Sequence, residues 1–192
     1  MDRTAWVASF GDVLPLGYAL VQALGTRWLR FHALPDAKRY GDTVAERAEV
    51  VARGNRLASR ILGEGQACTM LMPRWCPLDG SHGRKSAVQG DAIRRFGMRR
   101  LWQLDVANGQ EHFEDAHLDV MGAGITWRSG AFDDLLQQIA DDRLDALFVS
   151  QDMTRVFAPY DGGFDLICAT GAERDMFKAH HKDWLSPRAD ML

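Results

Sequence analysis

Cysteine is scarce in this chain: there are three in 192 residues, Cys68, Cys76 and Cys168, and no C-x-x-C pair among them. That excludes a disulfide framework and points to reduced thiols in a cytoplasm. Long apolar runs are missing as well. The longest, Val13 to Leu24, is broken by Pro15 and is about half of what a membrane span needs, so no membrane association is expected. The opening Met1-Asp2-Arg3-Thr4 has neither the basic nor the apolar region of a secretory leader, which again predicts a cytoplasmic protein. A basic surplus is absent too. A formal net charge of -3 argues against a whole-domain nucleic-acid binder.

Catalytic and metal-binding signatures are equally thin. No Gly-x-Ser-x-Gly elbow occurs, and Gly80-Ser81-His82-Gly83-Arg84-Lys85-Ser86 fails the phosphate-loop spacing. His112 and His117 lie five apart, and Cys76 with His82 has no second pair, so neither a metal nor a cofactor is expected. Cys68 and Cys168 fall inside apolar strands and read as small core residues.

What is present reads as one α+β domain over residues 1–192. Hydrophobic content of 46% and charged content of 26% suit an ordinary globular core. A helix is predicted over residues 12–25 and a strand over Arg27 to Leu34, closed by Pro35. Thr43-Val44-Ala45-Glu46 is a capping box opening a long helix. Its buried stripe reads as Val44, Ala48, Val51, Ala58, Ile61 and Leu62, with Arg47, Arg53, Arg56 and Arg60 on the wet side. Ala67 to Met72 is a second strand, ended by Pro73. From about 74 to 100 the pattern dissolves into a mobile, basic, glycine-rich insertion. Leu101 to Val106 is a strand, Asn108-Gly109 a turn, and 131–142 a helix. Three closing strands form a meander before a final helix, opened by Thr170-Gly171-Ala172-Glu173. The expected architecture is a mainly antiparallel sheet of about five to seven strands, with about three to four helices mostly on one face.

The most informative stretch is Val156 to Ile167. Asp161-Gly162 between two apolar runs is a tight-turn signal, which pairs Tyr160 with Gly163, Ala158 with Asp165 and Phe157 with Leu166. Alternation puts Asp165 on an apolar strand face with Val156, Ala158 and Ile167. A carboxylate there needs a partner, and Arg30 or His32 on the early strand is the natural one. The candidate pocket therefore comprises Arg30, His32, Lys38, Arg39, Tyr40, Tyr160, Asp161 and Asp165, with no catalytic residue assigned.

Two stretches resemble a bacterial family of uncharacterised domains. Trp28-Leu29-Arg30-Phe31-His32-Ala33-Leu34-Pro35-Asp36-Ala37-Lys38-Arg39-Tyr40 is similar to its Trp-x-Arg-x-His-x-Leu-Pro-x-x-Lys-Arg-Tyr block, with Glu46 and Asn55 following. Pro159-Tyr160-Asp161-Gly162-Gly163-Phe164-Asp165, then Asp183-Trp184-Leu185-Ser186, resembles its carboxy-terminal signature. It is also similar to the Tyr-Asp-Asp-Arg-Gly-x-x-Asp block of related domains, but lacks the arginine. The resemblance covers most of the chain outside residues 74–125 and implies no activity.

Two functional expectations follow. The first is a non-catalytic protein-binding domain, an immunity-type inhibitor of a cognate toxin by fold-level analogy. The alternative is a small enzyme or ligand-binding domain acting on a phosphorylated or carboxylated small molecule. There Arg30 would hold the anion, with His32 as general acid or base tuned by Asp165.

Overall fold

The computed structural model describes residues 1–77, 85–106 and 116–185. Its centre is a seven-stranded antiparallel sheet. The strands are β1 (Trp28–His32), β2 (Ala67–Pro77), β3 (Arg99–Val106), β4 (Ala116–Thr126), β5 (Leu147–Ser150), β6 (Val156–Tyr160) and β7 (Gly163–Ile167). Their order across the sheet is β1-β7-β6-β5-β2-β4-β3, so the first strand docks beside the last.

Six α-helices cover the sheet among the described residues: α1 (Arg3–Phe10), α2 (Gly17–Ala23), α3 (Val44–Ala58), α4 (Ser86–Arg95), α5 (Asp133–Ala140) and α6 (Gly171–His180). The α+β class and the closing meander followed by a helix agree with the sequence reading. The helix count is higher because α1 and the longer α4 were not foreseen. Four helices share one face, where Leu57, Leu135, Leu136 and Phe177 meet Phe31, Met70, Phe157 and Phe164. The other face carries α1 and α2, whose Trp6, Phe10 and Leu20 pack on Trp28, Leu71, Val120 and Val156. Each strand of the centre is therefore apolar on both sides.

Much of the stretch read as an insertion is regular structure. Arg74–Pro77 complete β2, residues 86–95 are α4, and Arg99 and Arg100 begin β3. Pro73 does not end β2, because β5 pairs only as far as Leu71. The Pro73 carbonyl instead accepts from Gln89 Nε2 at 3.1 Å, so the side of the strand lacking an N–H is turned away from β4. Residues 78–84 of the basic loop and the Asn108-Gly109 turn lie outside the described residues.

Ala58, Ile61 and Leu62 of the predicted stripe are buried, but the earlier turns of α3 are rotated from the predicted phase. Val50, Gly54, Leu57 and Ala58 face the sheet, and Val44 is 86% exposed. Gly54 lets the helix approach closely: an added Cβ would stand 3.1 Å from the Phe164 ring. Arg53, expected in water, is buried; it donates to Glu49 at 2.7 Å and to the His32 carbonyl at 3.2 Å. After Ala58 the helix widens into a π turn, Ser59–Gly63.

The β6–β7 register matches the prediction at every pair from Phe157–Leu166 to Tyr160–Gly163 and extends to Val156–Ile167. The turn differs. Only Gly162 has positive φ, at 138°, and its N–H donates to the Tyr160 carbonyl at 2.9 Å. Asp161 is held in ordinary backbone by neighbours on its carboxylate, and the Gly162 carbonyl accepts from Ala33 N–H at 2.9 Å. Gly163 is the tighter position, because a Cβ would lie 2.3 Å from the Phe31 carbonyl oxygen. Gly163→Ala is expected to cost about 1–3 kcal/mol in denaturant unfolding, since β1 must shift away to accept it. An unchanged midpoint would show that β1 yields freely.

Candidate functional site

The β1–β7 ladder places Arg30 directly opposite Asp165. Arg30 Nε donates to Asp165 Oδ1 at 2.8 Å and Nη2 donates to Oδ2 at 2.9 Å, a two-pronged pair. Trp28 lies two residues earlier on the same strand face, and its Nε1 donates to Oδ1 at 2.8 Å. Three donors thus satisfy a carboxylate that is 4% exposed. The guanidinium packs between rings, its Cζ 4.8 Å from the Tyr160 centroid and 5.4 Å from Trp28. Burial pushes the Tyr160 hydroxyl up to about 12.

Arg30, Tyr160 and Asp165 line a cavity of about 270 Å³ together with the Pro15–Tyr18 segment and Trp75. Of the other predicted residues, Asp161 lies outside that lining. Its carboxylate accepts from Arg39 Nη2 at 2.6 Å and from the Tyr40 hydroxyl at 2.9 Å. Lys38 turns elsewhere, to Asp42 at 2.8 Å and Glu46 at 2.6 Å.

His32 does not join the pair. Asp165 is answered by Arg30 and Trp28, and the His32 Nε2 is buried without a hydrogen-bond partner. Burial, with Arg30 and Arg53 nearby, holds the His32 imidazole below its ordinary range. Sequence reasoning missed Trp28 as a donor, although its i, i+2 spacing from Arg30 and its indole N–H were both visible. Tyr18 and Trp75 were missed because only the tertiary fold brings them over β6 and β7.

Lys38 and Glu46 tie the Pro35–Tyr40 loop to the start of α3. Glu46 Oε2 accepts from the Asp42 and Thr43 N–H groups at 2.9 and 3.1 Å, while Thr43 Oγ1 accepts from Glu46 N–H at 3.1 Å. The Lys38 ammonium, then these backbone donors, hold the Glu46 carboxyl down at about 2, from an ordinary 4.5. A depressed carboxyl stabilises the fold above its unfolded value and loses that contribution as pH falls toward the folded one. Thermal midpoints should therefore drop between roughly pH 4.5 and 2 by a smaller amount in Glu46→Gln than in the parent. Parallel curves would remove this loop anchor as a contributor. The second box is only half formed: Thr170 caps Glu173 N–H, but Glu173 reaches Ala169 N–H and Arg155 instead of closing on Thr170.

No thiol is activated. Burial raises Cys68 to about 11 and Cys168 to about 12, and Cys76 is raised as well. Cys76, His117 and Asp119 form a compact group on β2 and β4, but Arg74 and Arg100 already hold the Asp119 carboxylate at 3.1 and 3.3 Å. Two guanidiniums there oppose a divalent cation.

A second, larger and widely open cavity of about 1140 Å³ runs between α3 and α5. Its lining includes the Val44, Ala48 and Val51 stripe that sequence reasoning had buried, together with Arg56, Arg60 and His181. Asn55 closes its floor, accepting from Gly130 N–H at 3.0 Å and donating to Asp133 at 2.7 Å. No helix among the described residues is long and apolar enough to cross a membrane.

One family model matches residues 16–189, and its description is Domain of unknown function (DUF3885). Neither the comparison with curated proteins nor that with solved structures gives a match.

Proposed function

This chain belongs to the DUF3885 family, a domain of unknown function, and from the chemistry of its site we propose that it is a non-catalytic protein-binding domain. The observation that carries this reading is the saturation of Asp165: three donors occupy its oxygens, leaving no free base beside a nucleophile. The raised thiols and the His32 imidazole, held below its ordinary range with its Nε2 unpartnered, point the same way. The Arg30–Asp165 pair then serves as a girder that fixes the β1–β7 edge and presents the loop above it.

That loop offers a contact surface. Arg39 is 64% exposed in its side chain, and the exposed Tyr40 ring lies 5.6 Å from its guanidinium. Asp161, engaged by Arg39 and Tyr40, orders this corner and is not a free acid awaiting a basic partner. The finer reading is an immunity-type inhibitor in a bacterial cytoplasm that covers a cognate toxin. Co-purification of the tagged chain with the product of a neighbouring gene tests it. Retention that weakens about tenfold in Tyr40→Ala supports the surface, as truncating an interfacial aromatic costs more than 1 kcal/mol at a hot spot. Failure to retain any neighbour-encoded protein would sink the reading.

The cavity of about 270 Å³ favours a second reading, a small-molecule site whose floor is Arg30 and whose walls are Tyr18, Trp75 and Tyr160. A carboxylated or phosphorylated metabolite that raises the melting temperature of the parent but not of Trp75→Ala would favour that alternative.

A further inference from the structure

The α3–α5 cavity holds two arginines that the fold itself does not use. Every buried acid described above has a cationic or N–H partner, yet Arg56 and Arg60 have no carboxylate partner among the described residues. They are nonetheless positioned. Arg56 Cζ lies 5.6 Å from the Trp184 ring centroid and Arg60 Cζ 5.3 Å from that of Phe177. Stacking fixes a guanidinium without consuming its N–H donors, which lowers the ordering cost when an acceptor arrives.

Two further observations fall at the same place. Ser59 and Arg60 begin the π turn, a rare local widening that recurs at functional sites. His181 also lines the cavity, stacked on Trp184 at 4.6 Å, and its Nε2 has no hydrogen-bond partner. Burial, then Arg60, Arg56 and His180, hold that imidazole below its ordinary range.

We propose that this cavity is a binding site for the oxyanion of a small molecule, a phosphate or a carboxylate, held by Arg56 and Arg60. The acids in the lining do not neutralise the pair. Asp133 accepts from Asn55, and Asp134 faces Arg95 at 3.4 Å. The site is distinct from the Arg30 pocket and does not depend on the protein-binding proposal, which survives if it fails.

The test uses the full chain, with pyrophosphate and citrate as the two probes and His181 as reporter. The imidazole is followed by NMR and identified by its loss in His181→Gln. Bound anion offsets the arginine charge, so the His181 titration should move up, saturably, in the presence of one probe. The stronger probe identifies the group as phosphate or carboxylate. In Arg56→Gln/Arg60→Gln the affinity should fall by about tenfold or more per arginine, as expected for lost charge-assisted hydrogen bonds. Both residues are exposed, so the double variant should keep its fold, checked by circular dichroism. Three results would each overturn the site: no shift with either probe, the same shift with sodium chloride at matched ionic strength, or undiminished binding in the double variant.

Discussion

Arg30→Ala should lower the unfolding free energy by about 3–5 kcal/mol, measured by urea denaturation at neutral pH. The loss does not come from a strong net attraction between Arg30 and Asp165. It comes from what remains: a carboxylate 4% exposed, keeping one Trp28 N–H and losing both guanidinium bonds. Removing both charges separates the two effects. Arg30→Met with Asp165→Leu should recover part of the lost stability, because an apolar pair suits a strand face shared with Val156, Ala158 and Ile167, although the Trp28 indole N–H then loses its acceptor. If Arg30→Ala alone costs under 1 kcal/mol, water reaches Asp165 freely and the girder role is wrong.

Trp127→Ala should cost about 3–5 kcal/mol, the range for deleting a large buried aromatic. Trp127 is fully buried, stacked on Phe132 at 5.2 Å and edge-on to Phe148 at 5.2 Å and Phe157 at 6.1 Å. Its Nε1 also donates to Ser59 Oγ at 3.0 Å, which ties the aromatic core to the π turn. Trp127→Phe refills most of the space but leaves that hydroxyl without its donor, and should cost less than half as much. The contrast is read from the two denaturation midpoints. Equal losses in both variants would assign the effect to the hydrogen bond and not to packing.

The strands were the legible part of this chain, and the reason is periodicity. A two-residue repeat offers only two phases, so a polar residue such as Asp165 marks its face unambiguously, and the hairpin register followed from one dipeptide. The meeting of Arg30 with Asp165 was legible for the same reason. Helices were harder. α3 has an apolar stripe at Val44, Ala48 and Val51 that looks like a buried face, yet the contact runs through Val50, Gly54 and Leu57, and its closest point, Gly54, carries no hydrophobic signal. α1 buries only Trp6 and Phe10, too few points to establish a period. On α6 only Phe177 is buried, while Met176 and His180 are exposed, so there too a period cannot be read. Pro73 misled because a side chain, Gln89, takes the place of a neighbouring strand, and side-chain substitutes for a ladder leave no local pattern.

The partnership of β1 with β7 has a consequence for how this polypeptide is made. Arg30 and Asp165 are 135 positions apart, so during synthesis the early strand waits for that much further chain before its neighbour emerges from the ribosome. Contacts so distant along the chain also slow refolding, because a large loop must close before any reward is collected. A nascent chain stalled ahead of Gly163 would leave Leu29 and Phe31 bare, making it a substrate for holding chaperones.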